Sequence, residues 1–262
     1  MEAFRKIIAG VTAVAVAITF VGVGFLACIA PPVTHLLSNT FAQDNVSPFN
    51  RAQLVKIADA TRDYSFGSHD ELTLYQQIYE VDAEYRDSII RSGGKVPSDF
   101  PSIGEGLTPT SVTELKSAFS GASEMYCYTP DTVSHLDDCH AIATSAYPAL
   151  IAIAIIAVAG LVFAGATDGR RRLGSVLFGA GITVIVAFVA LGIWAIVDFQ
   201  GLFTTFHQIF FAQQGNWTFP YDSLLICALP EPFWAGMGAV WLIVAVLLSV
   251  VSIVIGRKFK TS

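Results

Sequence analysis

Four uninterrupted apolar stretches constrain this chain more than any other feature. They run over residues 7–30, 149–166, 173–197 and 233–255, and none contains Asp, Glu, Lys or Arg. A bilayer core about 30 Å thick takes roughly 20 residues of helix to cross, because backbone groups in hydrocarbon must pair internally and a helix pairs them. Composition agrees: 53% of residues are hydrophobic and 14% charged, where a soluble domain carries roughly a quarter charged. The expected fold class is an all-α integral membrane protein with four transmembrane helices.

The basic residues orient those helices. Arg5 and Lys6, then Arg170, Arg171 and Arg172, then Arg257, Lys258 and Lys260 all fall on one side of a four-span chain, as the positive-inside rule requires of cytoplasmic segments. The expectation is therefore a cell-membrane protein with both termini cytoplasmic (1–6 and 256–262) and a cytoplasmic loop at 167–172. Outside lie an extracellular cap at 31–148 and a shorter loop at 198–232. The cap holds sixteen acidic residues against seven basic ones. That balance argues against nucleic acid as a partner, since like charges repel. The rival reading of the first stretch is a cleaved signal peptide, with Leu26-Ala27-Cys28 as a lipidation-like site; the apolar run is too long for a signal core of about 7 to 15 residues.

The cap reads as mainly helical. A start signal stands at Ser47-Pro48 ahead of Leu54, Ile57 and Ala58 at helical spacing, and Gly67-Ser68 ends that helix and caps the next. An amphipathic helix is expected over 71–90, a Gly/Pro/Ser-rich loop over 92–110, and a capping box at Ser111-Val112-Thr113-Glu114. From Asp131 the chain is helix-compatible into the second span. Cys127 and Cys139 both fall outside, where a disulfide can persist, and are a candidate pair.

Two clusters carry candidate chemistry. In His135-Leu136-Asp137-Asp138-Cys139-His140, residues His135, Asp138 and Cys139 share a helical face. In the outer loop, His207 lies among Phe206, Phe210, Phe211, Trp217, Phe219 and Tyr221. Such aromatics ordinarily anchor helix ends at headgroup depth. A histidine among them is also a natural general base or acid, and a semi-dry pocket strengthens its electrostatics. His35 and His69 lack such neighbours and read as solvated; His140 either faces headgroups or partners His135. His, Asp and Cys are zinc ligands too, but no second pair stands at ligand spacing, so no metal or cofactor is expected. Gly-x-Ser-x-Gly, His-Glu-x-x-His and phosphate-cradling glycine loops are absent.

Together these residues resemble the lipoprotein intramolecular transacylase family. The outer loop Phe206-His207-x-x-Phe210-Phe211, Gly215-x-Trp217-x-Phe219, Asp222, Leu224 and Pro230-Glu231 is similar to that family's second-loop signature. Arg51-Ala52-Gln53-Leu54 through Tyr64 resembles the helix after its first span, and His135-Leu136-x-Asp138 its His-(Leu/Met)-x-Asp motif. Residues 67–127 carry none of its motifs and look like an enlarged cap, and the family's acidic residue three before the first His is Thr132 here.

The resemblance implies an acyltransferase acting on a diacylated lipoprotein or lipopeptide among membrane lipids. The sn-2 acyl chain moves to the α-amino group of the lipoprotein's own N-terminal cysteine, leaving a lyso-form. It implies His135 and His207 as the catalytic pair, with Asp138 setting the tautomer of His135 and Phe206, Phe210, Phe211, Gly215, Trp217, Phe219 and Asp222 in support. The alternatives are a non-enzymatic membrane receptor whose acidic cap binds a partner, and a zinc-dependent membrane hydrolase.

Overall fold

A computed structural model describes residues 2–104, 109–211 and 217–261. Their regular elements are helices: α1 (Glu2–Cys28), α2 (Pro31–Phe41), α3 (Arg51–Phe66), α4 (Glu71–Arg91), α5 (Val112–Phe119), α6 (Pro130–Val197), α7 (Phe199–Phe211), α8 (Leu224–Ala228) and α9 (Glu231–Thr261). No strand occurs among the described residues. Three helices, α1, α6 and α9, are long and apolar enough to cross a membrane. Within α6 the backbone leaves the helical region at Gly169, with φ 73° and ψ −176°, a conformation open to a residue without a Cβ. Helical segments therefore run over 130–168 and 170–197, with the apolar stretches 149–166 and 173–197 one on each side. α6 runs through Pro148 without a break, in line with the helix-compatible stretch from Asp131 into the second span.

The chain divides into two compact units. The first comprises Met1–Cys28, Thr144–Phe206 and Gly238–Ser262. Its core is built from small side chains: Ala15, Ala17, Ala157, Ala180 and Ala245, joined by Val184 and Phe188. Lipid tails are as apolar as leucine, so helices here gain by close backbone approach rather than by escaping water. A Cβ at Gly174 would stand 2.5 Å from the Gly256 carbonyl oxygen, and one at Gly256 would stand 2.7 Å from that of Gly174. Polar groups are paired inside this layer. Trp241 Nε1 donates to the Val21 carbonyl, and Ser252 Oγ to that of Leu177, both at 2.8 Å. The outward faces of the helices present Ile151, Ile155, Val158, Val186 and Leu247, the surface a protein offers to lipid rather than to water. Arg5 pairs with Asp168 at 3.0 Å, Arg170 lies over Phe259, and Arg257 and Lys260 lie over Phe178. The basic flanks thus gather at one end of the unit.

The second unit comprises Ile29–Ala143 and His207–Met237. Here α3 packs against α2, α4 and α8, and α5 against α4. Phe49, Leu54, Ile57, Leu74, Ile78 and Leu115 are fully buried, as the helical periodicity of α3 and α4 requires. The capping box at Ser111 and Glu114 forms as expected. Two helix starts differ from expectation. α3 is capped by Asn50 with a reciprocal Gln53 bond, not by Ser47, and α4 by Asp70, not by Ser68; in each case the side-chain oxygen that accepts from the first-turn amides marks the start. α2 opens on Pro31-Pro32, whose fixed φ suits a first helical turn.

Candidate active site

His135 and His207 meet inside the second unit although 72 residues separate them. α6 begins at Pro130, with Thr129 Oγ1 accepting the Thr132 amide at 3.2 Å. That cap places Thr132, Val133, His135 and Leu136 in the interior. His207 and Phe211 are the buried residues of α7, one turn apart. The two imidazole centroids are 5.9 Å apart with ring planes inclined by 26°, and each histidine is 8% exposed.

Aromatic rings enclose the pair. Phe211 meets His135 edge-on at 4.8 Å and His207 at 5.5 Å. Trp217 covers His207 at 5.0 Å, and Phe219 lies 5.9 Å from His135. Burial, and secondarily the neighbouring His207, push the His135 imidazole down to about 4. His135 is therefore a neutral ring near pH 7, one nitrogen a donor and the other an acceptor. Its Nε2 lies 3.8 Å from Cys139 Sγ, and its Nδ1 has no hydrogen-bond partner among the described residues.

Several expected contacts differ. Asp138 does not hold His135: its buried Oδ2 and His135 Nδ1 both lack a hydrogen-bond partner among the described residues. Phe206 and Phe210 are 43% and 49% exposed, because on α7 they precede His207 and Phe211 by one residue, a rotation of about 100°. Cys127 and Cys139 are both free thiols. Cys127 Sγ sits 3.6 Å from the Ser123 carbonyl, and burial pushes both thiols up to about 12. Asp222 is half-buried just ahead of α8, and Gly215 lies outside the described residues. Among the described residues no three His, Cys, Asp or Glu side chains cluster as a metal ion would need.

Residues 112–234 match the family model described as lipoprotein intramolecular transacylase Lit. Over this segment, just under half of the chain, the sequence is similar to that family. Both histidines of the buried pair lie within the matched segment. The lipoprotein intramolecular transacylase Lit from Bacillus cereus, solved in meso, shares the fold with a TM-score of 0.70 at 14% identity, over 100% of this chain and 98% of that one. Two variants of the same protein, in which a histidine is replaced by Arg or by Ala, align with TM-scores of 0.62 and 0.61, also at 14% identity. These cover 99% of this chain and 93% and 95% of theirs. No curated protein sequence matches the chain. The chain is thus a membrane protein with the fold of Lit, and the match over 112–234 supports an acyltransferase.

The Lit motifs leave out a second titratable group beside the first. His69 stacks between Tyr64 at 4.3 Å and His140 at 3.9 Å. The Tyr64 hydroxyl donates to Asp137 at 2.5 Å, and His69 Nε2 lies 3.6 Å from the same oxygen. His69 is therefore not the solvated residue its sequence neighbours suggested. Its backbone, at φ 54°, is held by Nδ1 donating to the Tyr64 carbonyl at 3.0 Å. Asp137 and His140, one turn apart on α6, were the signal for it. His35, also read as solvated, pairs with Asp59 at 2.8 Å.

Proposed function

We propose that this chain moves the sn-2 acyl chain of a diacylglyceryl-modified lipoprotein to the α-amino group of that lipoprotein's N-terminal cysteine, leaving a lyso-form lipoprotein. The observation that carries the reading is the buried, facing pair His135 and His207 within the family-matched segment. An α-amino group has a pKa of about 8 and is partly protonated at neutral pH, so a base must free its lone pair. His207 takes that proton as the nitrogen attacks the ester carbonyl. His135, a neutral ring, donates to the carbonyl oxygen as negative charge develops there. The C–N bond forms, the bond to the glyceryl oxygen breaks, and the proton held by His207 passes to that oxygen. The overall transfer takes up no water.

Nucleophile and ester belong to one molecule. The protein's main task is to hold them together and keep water from competing, and well-oriented intramolecular reactions gain about 7 to 11 kcal/mol from proximity. Phe211, Trp217 and Phe219 supply a dry lining around the two rings.

In this reading the chain crosses the membrane four times, with both termini cytoplasmic and residues 31–148 outside. The apolar segments on either side of Gly169 and the basic flanks support it. A membrane-impermeant maleimide applied to intact cells should label a cysteine introduced at Lys95 and not one introduced at Thr261; the reverse pattern would overturn this topology. Mass spectrometry of lipoprotein N-termini from cells with and without this chain tests the activity. Diacylated N-termini unchanged by its expression would refute it.

A further inference from the structure

One turn after His135 on α6, Cys139 places its sulfur 3.8 Å from His135 Nε2. No family motif quoted above includes this residue, and Asp138, expected to orient the imidazole, does not do so. A neutral imidazole has one protonated nitrogen, and the hydrogen bond made by one nitrogen decides what the other presents. Resting on the acyl-transfer reading above, we infer that Cys139 is a positioning residue: its S–H donates to Nε2 of His135, fixing the ring proton on Nδ1.

The consequence falls on the nitrogen the protein leaves open. His135 Nδ1 is buried and has no hydrogen-bond partner among the described residues. Carrying the proton, it is an N–H donor kept for the acyl carbonyl oxygen. A donor held in this way costs no reorganisation when charge develops. With the opposite tautomer, Nδ1 would be a lone pair facing that oxygen and would repel it. The thiol suits the task because burial pushes it up to about 12, so it remains S–H at neutral pH. For the same reason it is not an acyl acceptor, since the thiolate is the nucleophile.

The test uses the full chain in detergent or lipid, with ¹⁵N-labelled histidine and His135 assigned from the spectrum of His135→Gln. At neutral pH the ¹⁵N shifts of His135 should mark Nδ1 as protonated, and Cys139→Ala should shift population to the Nε2–H form. Turnover of a diacylated lipopeptide should fall at least about tenfold in kcat with KM held, part of the 10²- to 10⁴-fold worth of a positioned proton donor. Cys139→Val refills the volume without a donor and should behave as the Ala variant. The inference is overturned by an Nε2–H tautomer in the wild type, by an Nδ1–H tautomer that persists unchanged in Cys139→Ala, by full turnover in Cys139→Val, or by an acyl thioester on Cys139. A tautomer that depends on Cys139 in a chain that converts no lipopeptide would refute the acyl-transfer reading and leave the pairing standing. Normal conversion with an unchanged tautomer refutes the pairing alone.

Discussion

His135 and His207 face one another with centroids 5.9 Å apart and planes inclined by 26°, yet His135 uses neither ring nitrogen on His207. Neither nitrogen of His135 is therefore spent on His207. In the acyl-transfer reading proposed above, His207 accepts a proton and His135 donates one.

His135→Ala and His207→Ala should each lower conversion of diacylated to lyso-form lipopeptide by about 10² to 10⁴ in kcat, the range for a positioned acid or base. Groups that act as a unit are not additive, so the double variant should be no slower than the slower single one. Product mass spectrometry over a time course measures this.

The position of His135 implies a stability window. Its ordinary value is 6.5, and burial brings it to about 4 in the folded protein. Between those values the unfolded chain binds more protons, so the contribution of His135 is fully present above pH 6.5 and is lost as pH falls toward 4. Thermal unfolding should show a larger drop in Tm from pH 7 to 4.5 in the wild type than in His135→Gln.

Asp82 on α4 is 0% exposed, and neither carboxylate oxygen has a hydrogen-bond partner among the described residues. Burial raises it well above the usual carboxyl range. A folded-state pKa above the unfolded one supplies stability at low pH that is lost as pH rises. Asp82→Asn cannot ionise, so it should unfold at a higher temperature than the wild type, by a margin that grows from pH 4 to pH 8. A constant margin would contradict this account.

A Cβ at Gly174 or Gly256 would run into the other's carbonyl oxygen and into Phe259 or Phe178, while a Cβ at Gly10 would meet nothing within 4 Å. Gly256→Val should therefore destabilise by about 1 to 3 kcal/mol, the usual cost of overpacking, and Gly10→Val by much less. The Tm of the purified protein compares them.

All four cysteines are free thiols. Denatured, unreduced protein should accordingly bind four maleimides, and a mobility shift on reduction should not occur.

Much of this was legible in local stretches of chain. The capping box at Ser111 and Glu114 is complete within four residues, and Pro130 opening α6 needs nothing distant. The helix starts at Asn50 and Asp70 were misplaced because several Ser, Asp and Asn residues nearby are equally capable of capping. Which one does so depends on how the preceding segment packs.

The sequence by itself determined that this protein lives in a membrane, since apolar length and basic flanks act through composition alone. It also singled out His135 and His207 as chemically capable side chains. Their meeting was decided only by the tertiary structure. Helical periodicity assigns a residue to one side of its own helix, but it says nothing of which other helix that side touches. For that reason Phe211, not Phe206 or Phe210, closes on the pair, Cys139 takes the place expected of Asp138, and His69 lies stacked between Tyr64 and His140.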